Sequence, residues 1–189
     1  MRRIVLSMNV SVDGYFEGPG RDLSWHRVDE ELHQHFNDEL AQASLFVDGR
    51  VTWELMAQYW PHADERPDAV GPEREFARIW RDTPKVVYSR TLTEAGWGTQ
   101  IRREVDPAGI AAEKEQDGGP VYLGGAVLAG AFLEHGLVDE LHLYVHPVVL
   151  GAGRRPFPDD GVTADLTPLG TRTFGNGVTM LRYALSPSR

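Results

Sequence analysis

At 189 residues the chain falls within the usual size of one globular domain, and its 41% hydrophobic and 25% charged residues exclude disorder, a collagen-like repeat and a coiled coil. A formal net charge of −9 removes the broad basic footprint that nucleic-acid phosphates require. The absence of cysteine removes disulfides, thiol nucleophiles, iron–sulfur ligation and Cys-based zinc sites together.

In chain order, the basic start at Arg2-Arg3 runs into Ile4 to Val10, where Ser7 and Asn9 interrupt the apolar stretch before a signal-peptide core can form. This segment reads as a first strand ending at the turn-forming Asp13-Gly14. A helix follows, capped by Asp29, with Glu30 and Glu31 at the positive end of its dipole and Leu32, Phe36, Leu40 and Ala43 at helical spacing. Leu45-Phe46-Val47 reads as a short buried strand, and Val51 through Met56 as a turn or two of helix. Pro61 to Pro72 is polar and proline-rich and is expected to be a surface loop before a helix that ends around Trp80. Lys85 to Ser89 and Gln100 to Arg102 are expected strands, Pro107 to Gln116 a helix, Val121 to Leu123 a strand and Ala126 to Glu134 an apolar helix too short to span a membrane. Glu140 to Val145 is expected as a strand with Leu141, Leu143 and Val145 on one face and His142, Tyr144 and His146 on the other. Two last strands around Thr171 and Met180 are joined by a hairpin at Gly175-Asn176-Gly177. Alternating strands and helices imply a largely parallel α/β sheet with an antiparallel edge, and no composition shift divides residues 1–189 into more than one domain.

Chemistry is expected at the carboxyl ends of the strands, where open α/β sheets gather ligands. Val121-Tyr122-Leu123-Gly124-Gly125-Ala126 carries a strand into two glycines that open a helix. Such glycines let the backbone approach a pyrophosphate and leave free helix N–H groups as anion donors, although a tight strand-to-helix turn needs the same residues. Gly49-Arg50-Val51-Thr52 and Ser89-Arg90-Thr91 add a hydroxyl and a guanidinium each at two further strand ends, and three such ends can converge on one phosphate-bearing ligand. Gly151-Ala152-Gly153 starts like a dinucleotide fingerprint, but Pro156 argues against a helix there. His26, His33 and His35 lack the spacing of a metal site, since residues two apart on a helix face different directions.

Taken together, Ser11-Val12-Asp13-Gly14-Tyr15, Asp22-Leu23-Ser24-Trp25, Gly49 to Glu54, Pro84 to Leu92, Leu123-Gly124-Gly125, Leu137 to Leu141 and Pro147 to Gly153 with Pro156-Phe157 resemble the RibD C-terminal domain family, of dihydrofolate reductase-like fold. The resemblance implies a three-layer architecture, with a mixed, mainly parallel eight-stranded sheet, flanking helices and a C-terminal antiparallel hairpin. It also implies a cytoplasmic, homodimeric reductase that takes hydride from NADPH and passes it to a C=N or C=O of a small heterocyclic or sugar-linked substrate. By resemblance that activity is 5-amino-6-(5-phosphoribosylamino)uracil reductase of riboflavin biosynthesis. A dihydrofolate or pterin reductase, and a non-catalytic nucleotide or flavin binder, are the alternatives.

Carried over by position, Gly124, Gly125 and Ala126 would lie along the cofactor pyrophosphate, at a two-glycine peptide that the family often holds cis. Gly49, Arg50, Thr52, Ser89 and Arg90 would sit near its phosphates and adenosine end, with the arginines favouring NADPH over NADH. On the substrate side Asp13, Glu30 and Glu31 are the candidate acids and Trp25 the candidate pocket wall. The bland readings of these carboxylates are a turn former before Gly14 for Asp13, of equal weight, and dipole-favoured surface acids at a helix start for Glu30 and Glu31, which is there the favoured reading. The chain departs from riboflavin reductases at Tyr15, where they usually carry arginine, and near Asp29, where arginines for a ribose phosphate are missing. A deaminase half is excluded by the lack of cysteine.

Overall fold

The computed structural model of the protein describes residues 1–157 and 163–186. Its elements are β1 (Ile4–Ser11), α1 (Glu30–Leu40), β2 (Leu45–Gly49), α2 (Arg50–Tyr59), α3 (Gly71–Asp82), β3 (Lys85–Tyr88), β4 (Thr99–Arg102), α4 (Pro107–Lys114), β5 (Val121–Gly124), α5 (Ala126–Glu134), β6 (Glu140–His146), β7 (Asp165–Thr173) and β8 (Thr179–Ser186). The strands form one eight-stranded sheet in the order β4-β3-β2-β5-β1-β6-β8-β7. Pairs from β4 to β6 are parallel, and β6, β8 and β7 close the sheet antiparallel.

Helices cover both faces. On one side Ile4, Leu6, Met8, Val47, Val86, Leu123 and Leu141 pack with Ile110 of α4 and with Leu128, Ala129 and Phe132 of α5. On the other, Phe46 meets Phe76, Ile79 and Trp80 of α3, while Leu32 of α1 packs on Tyr144, Phe174, Val178 and Met180. β1 is therefore covered on both faces, which is why Ile4-Val5-Leu6 reads as an unbroken apolar run.

Local chemistry sets the helix starts. The Asp29 carboxylate accepts the Leu32 N–H at 2.9 Å, and Glu73 reaches back to the Val70 N–H at 3.1 Å to start α3 beside Pro72. α2 and α5 differ, since each begins at a glycine, Gly49 and Gly125, with no capping side chain. Their first N–H groups are left for an external partner.

Two sequence expectations change. Pro61 to Pro72 is not wholly a surface loop: Trp60–Glu65 is a short 3-10 helix whose Pro61 and Ala63 are buried, and Arg81 pins it through Asp64 at 2.6 Å and the Pro61 carbonyl at 2.8 Å. Ala43 lies beyond the end of α1 and packs against the Phe46 cluster from the connecting turn. On the face of β6 opposite Leu141, Leu143 and Val145, His142, Tyr144 and His146 are all buried. The Glu39 carboxylate bonds His142 Nδ1 at 3.1 Å and Glu140 bonds its Nε2 at 3.1 Å, which replaces water with a polar layer beneath α1. The Gly175-Asn176-Gly177 hairpin forms as expected, with Gly177 at φ +86° and the Asn176 amide donating to the Arg27 carbonyl at 2.8 Å. Among the described residues no helix is long and apolar enough to cross a membrane.

Leu6 is fully buried at the centre of the sheet. Leu6→Ala is expected to lower unfolding free energy by about 2–5 kcal/mol with little change in fold, measured by urea denaturation followed by circular dichroism.

Candidate functional site

Parallel pairing sends the carboxyl ends of β2, β3 and β5 to the same edge of the sheet. There a groove of about 460 Å³ is lined by Gly49, Arg50, Thr52, Ser89, Arg90, Gly125 and Ala126, among others. The strand ends singled out in the sequence thus converge. Gly124 lies one residue outside this lining, at the last position of β5.

The glycines are required by close approach. A Cβ on Gly124 would lie 2.2 Å from Asp48 Oδ1, and one on Gly125, at φ +89°, would lie 2.9 Å from Thr52 Oγ1 and 3.5 Å from the Gly49 nitrogen. The same contacts show that the uncapped N-termini of α2 and α5 stand side by side at the groove floor. Each presents free N–H groups and the positive end of a helix dipole to the same space. The peptide between the two glycines is trans, as are all described peptide bonds, so the family's frequent cis form is not adopted and the turn is made by the positive φ of Gly125 alone.

In an acidic protein the groove is locally cationic. Arg50 pairs with Glu54 of its own helix at 2.8 Å, half-exposed, so this pair contributes little stability and leaves the guanidinium open to competition by a phosphate. Arg90 is exposed, and among the described residues no carboxylate pairs with it. Ser89 Oγ accepts the Leu92 and Thr91 N–H groups at 2.9 and 3.3 Å, which folds the turn that carries Arg90 and leaves the hydroxyl hydrogen to donate.

Sequence reasoning missed three further residues. Arg103 lines the groove and holds the Ser89 and Leu92 carbonyls at 2.8 and 2.6 Å, and nothing local to the end of β4 signals that role. Arg154 lines it from the opposite side, stacked on Phe16 at 5.6 Å and 3.4 Å from the Glu17 carboxylate. Asp48 lies beneath the two glycines, 9% exposed, and burial pushes its carboxyl up to about 7 while Lys85 pulls it down. A single acid inside Leu45-Phe46-Val47-Asp48 was the available signal.

The substrate-side candidates do not line the groove. Hydrogen bonding from Ser11 and from the Gly151 and Leu150 N–H groups, at 2.7 and 3.1 Å for the last two, holds the Asp13 carboxyl down to about 2. It is a fixed anion that clasps the β1 exit to the Pro147–Gly153 segment, and it has no proton to give near neutral pH. Glu31 accepts the Gly175 N–H at 2.9 Å and an Arg172 N–H at 3.2 Å, both of which lower its pKa, so it anchors the C-terminal hairpin. Glu30 is exposed in the first turn of α1. Of the three, Asp13 and Glu31 are thus committed to backbone N–H groups elsewhere in the fold.

Trp25 stands edge-on to His26 at 4.3 Å and to His146 at 5.4 Å, with its Nε1–H donating to the Asp22 carbonyl at 3.0 Å. His146 is fully buried, and burial pushes it down to about 4. The neutral ring accepts the Arg27 N–H at Nδ1 and meets Asn9 Oδ1 through Nε2, at 3.0 and 2.8 Å. His33 faces Trp60 and Phe76 whereas His35 faces Tyr144, and among the described residues no cluster of three or more His, Cys, Asp or Glu is placed to hold a metal.

A doubly covered, mainly parallel eight-stranded sheet closed by an antiparallel hairpin defines a dihydrofolate reductase-like fold. The chain matches the RibD C-terminal domain over residues 2–180 and belongs to that family. It is 34% identical over 183 residues to the uncharacterized protein YyaP of Bacillus subtilis, covering 96% of this chain and 94% of that one. Its fold is shared with the dihydrofolate reductase of Enterococcus faecalis complexed with NADP(H), at a TM-score of 0.64 and 16% identity over 97% and 96% of the two chains. It is shared too with a Thermotoga maritima diaminohydroxyphosphoribosylaminopyrimidine deaminase/5-amino-6-(5-phosphoribosylamino)uracil reductase, at a TM-score of 0.67 and 12% identity, over 98% of this chain and 57% of that longer one.

A carboxyl raised from 3.8 to about 7 stabilises the fold least when it must ionise, so its contribution is complete below about 4 and is lost as pH rises through about 7. Asp48→Asn is expected to unfold at higher temperature than wild type at alkaline pH and to lose that advantage near about pH 4, in thermal melts across the range.

Proposed function

We propose that the protein is an NADPH-dependent reductase, a reading carried by the convergence of Gly49, Arg50, Thr52, Ser89, Arg90, Gly125 and Ala126 on one groove. The fit is chemical. Two uncapped helix N-termini supply N–H donors to a pyrophosphate, and Gly124 and Gly125 keep the backbone clear for close approach. Arg50, Arg90 and Arg103 surround the turn that a 2′-phosphate would meet, which favours NADPH over NADH. When bound, the nicotinamide supplies hydride, and the protein's share is binding, orientation and control of water.

The substrate proposed is a small heterocyclic or sugar-linked compound with a reducible C=N or C=O. Family membership favours 5-amino-6-(5-phosphoribosylamino)uracil, while Tyr15, stacked against Arg155 at 5.2 Å, stands where riboflavin reductases usually carry arginine. For the pterin alternative, Glu31 on α1 is already engaged with Arg172 and Gly175, which leaves the exposed Glu30 as the acid of that first turn. The commitment of Asp13 and Glu31 to backbone N–H groups favours one second reading, a nucleotide or flavin binder without turnover.

We further propose a cytoplasmic homodimer formed through the late strands. β7 is exposed along all nine residues, Leu166 and Leu169 included, and is an edge strand with unpaired backbone groups. Light scattering is expected to give twice the chain mass, and Leu169→Lys to shift it toward the monomer.

Calorimetric titration tests the cofactor. NADPH is expected to bind more tightly than NADH, and Arg90→Ala to weaken NADPH by about tenfold or more while leaving NADH nearly unchanged. Arg50→Ala is expected to weaken both. Equal affinity for the two nucleotides would refute the assignment of the arginines, and NADPH binding without oxidation across carbonyl, pterin and aminopyrimidine compounds would favour the binder reading.

A further inference from the structure

Asp48 is a buried acid that neither hydride transfer nor the core requires. Its Oδ1 occupies the space a side chain at Gly124 would take, and Thr52 closes the same space from α2, with Cγ2 3.4 Å from that point. The next residue, Gly125, opens α5 at the groove floor beside Thr52 and the Gly49 nitrogen. Asp48 therefore lies directly behind the two helix N-termini assigned to the cofactor pyrophosphate.

The neighbouring elements leave it without a close counterion. Lys85, on β3, is the charged group that acts on it, but its ammonium is donated to the Trp80, Thr83 and Arg81 carbonyls and burial lowers it to about 8. β5 contributes Gly124 and, two residues earlier on the same face, Tyr122, whose hydroxyl meets Glu39 at 3.5 Å. From α2 the neighbour is the uncharged Thr52. Among the described residues no side chain donates a hydrogen bond to the Asp48 carboxyl.

We propose that Asp48 couples dinucleotide binding to proton uptake: its carboxyl must be neutral for an anion to sit on the Gly124–Gly125 turn. Resting on the cofactor reading above, this makes the acid a determinant of affinity at the pyrophosphate. An ionised carboxylate behind the turn repels the pyrophosphate, and a buried pair is poorly screened by salt. Binding then draws a proton onto Asp48 at any pH where the free protein has lost it. No bond is made or broken; the proton comes from solvent and returns on release.

The test is NADPH affinity as a function of pH in wild type and Asp48→Asn. Between about pH 7 and about pH 8.5 the wild-type Kd is expected to rise about tenfold while that of the variant stays level and low. The 2′-phosphate, with a second pKa near about 6, is largely ionised over that span and titrates alike in both proteins, so the difference reports the Asp48 carboxyl together with its pull on Lys85. Calorimetry of the wild type near pH 8, in two buffers of different ionisation enthalpy, is expected to show net proton uptake and needs no variant. Parallel pH profiles in the two proteins, or binding without proton uptake, would overturn the coupling and leave the cofactor assignment standing. Failure of wild type and variant alike to bind NADPH overturns the cofactor assignment and the coupling with it.

Discussion

The parallel register of β2 against β5, which sets Asp48 opposite Gly124, is the constraint on which the site depends. It brings the next residue of each strand, Gly49 and Gly125, into contact and starts two helices from adjacent points. A side chain at either glycine of the β5 turn would force the strands apart, because the space is already taken by Asp48 and Thr52. The groove is the consequence: a gap between two helix starts, floored by backbone and walled by the Ser89–Arg90 turn.

Charge is distributed to serve that geometry. The protein as a whole is acidic, yet Arg50, Arg90, Arg103 and Arg154 all border the groove. Two of them also have structural duties, Arg103 holding the Ser89 turn and Arg154 pairing with Glu17 across the bridge between Glu17 and Arg154. The opposite face of the sheet uses charge differently. There Glu39, His142, Glu140 and Arg182 satisfy one another beneath α1, a buried polar layer that specifies how α1 sits rather than binding a ligand.

The order and type of the elements were legible because periodicity and turn chemistry are local properties. Asp29 before Leu32, the alternation through Leu141 and Leu143, and Asn176-Gly177 each name their structure within a few residues. The convergence of the strand ends was legible for the same reason: glycine, hydroxyl and arginine at strand ends are local signals, and sheet topology then places those ends together. The partners of Asp13 and Glu31 were not legible, because a carboxylate looks the same in sequence whether it faces a substrate or a backbone N–H more than a hundred residues away, as Asp13 does at Gly151 and Glu31 at Gly175.

By itself, then, the sequence determined a mixed α/β sheet, the helix starts and the glycines, hydroxyls and arginines that close the strand ends, since each depends on side-chain pattern over one or two turns of chain. Only the tertiary structure decided that the His142, Tyr144 and His146 face of β6 is buried, that Arg103 and Arg154 reach the groove and that Asp48 lies unpaired behind it. Those outcomes depend on which strands become neighbours, and neighbour choice is set by packing across the whole sheet.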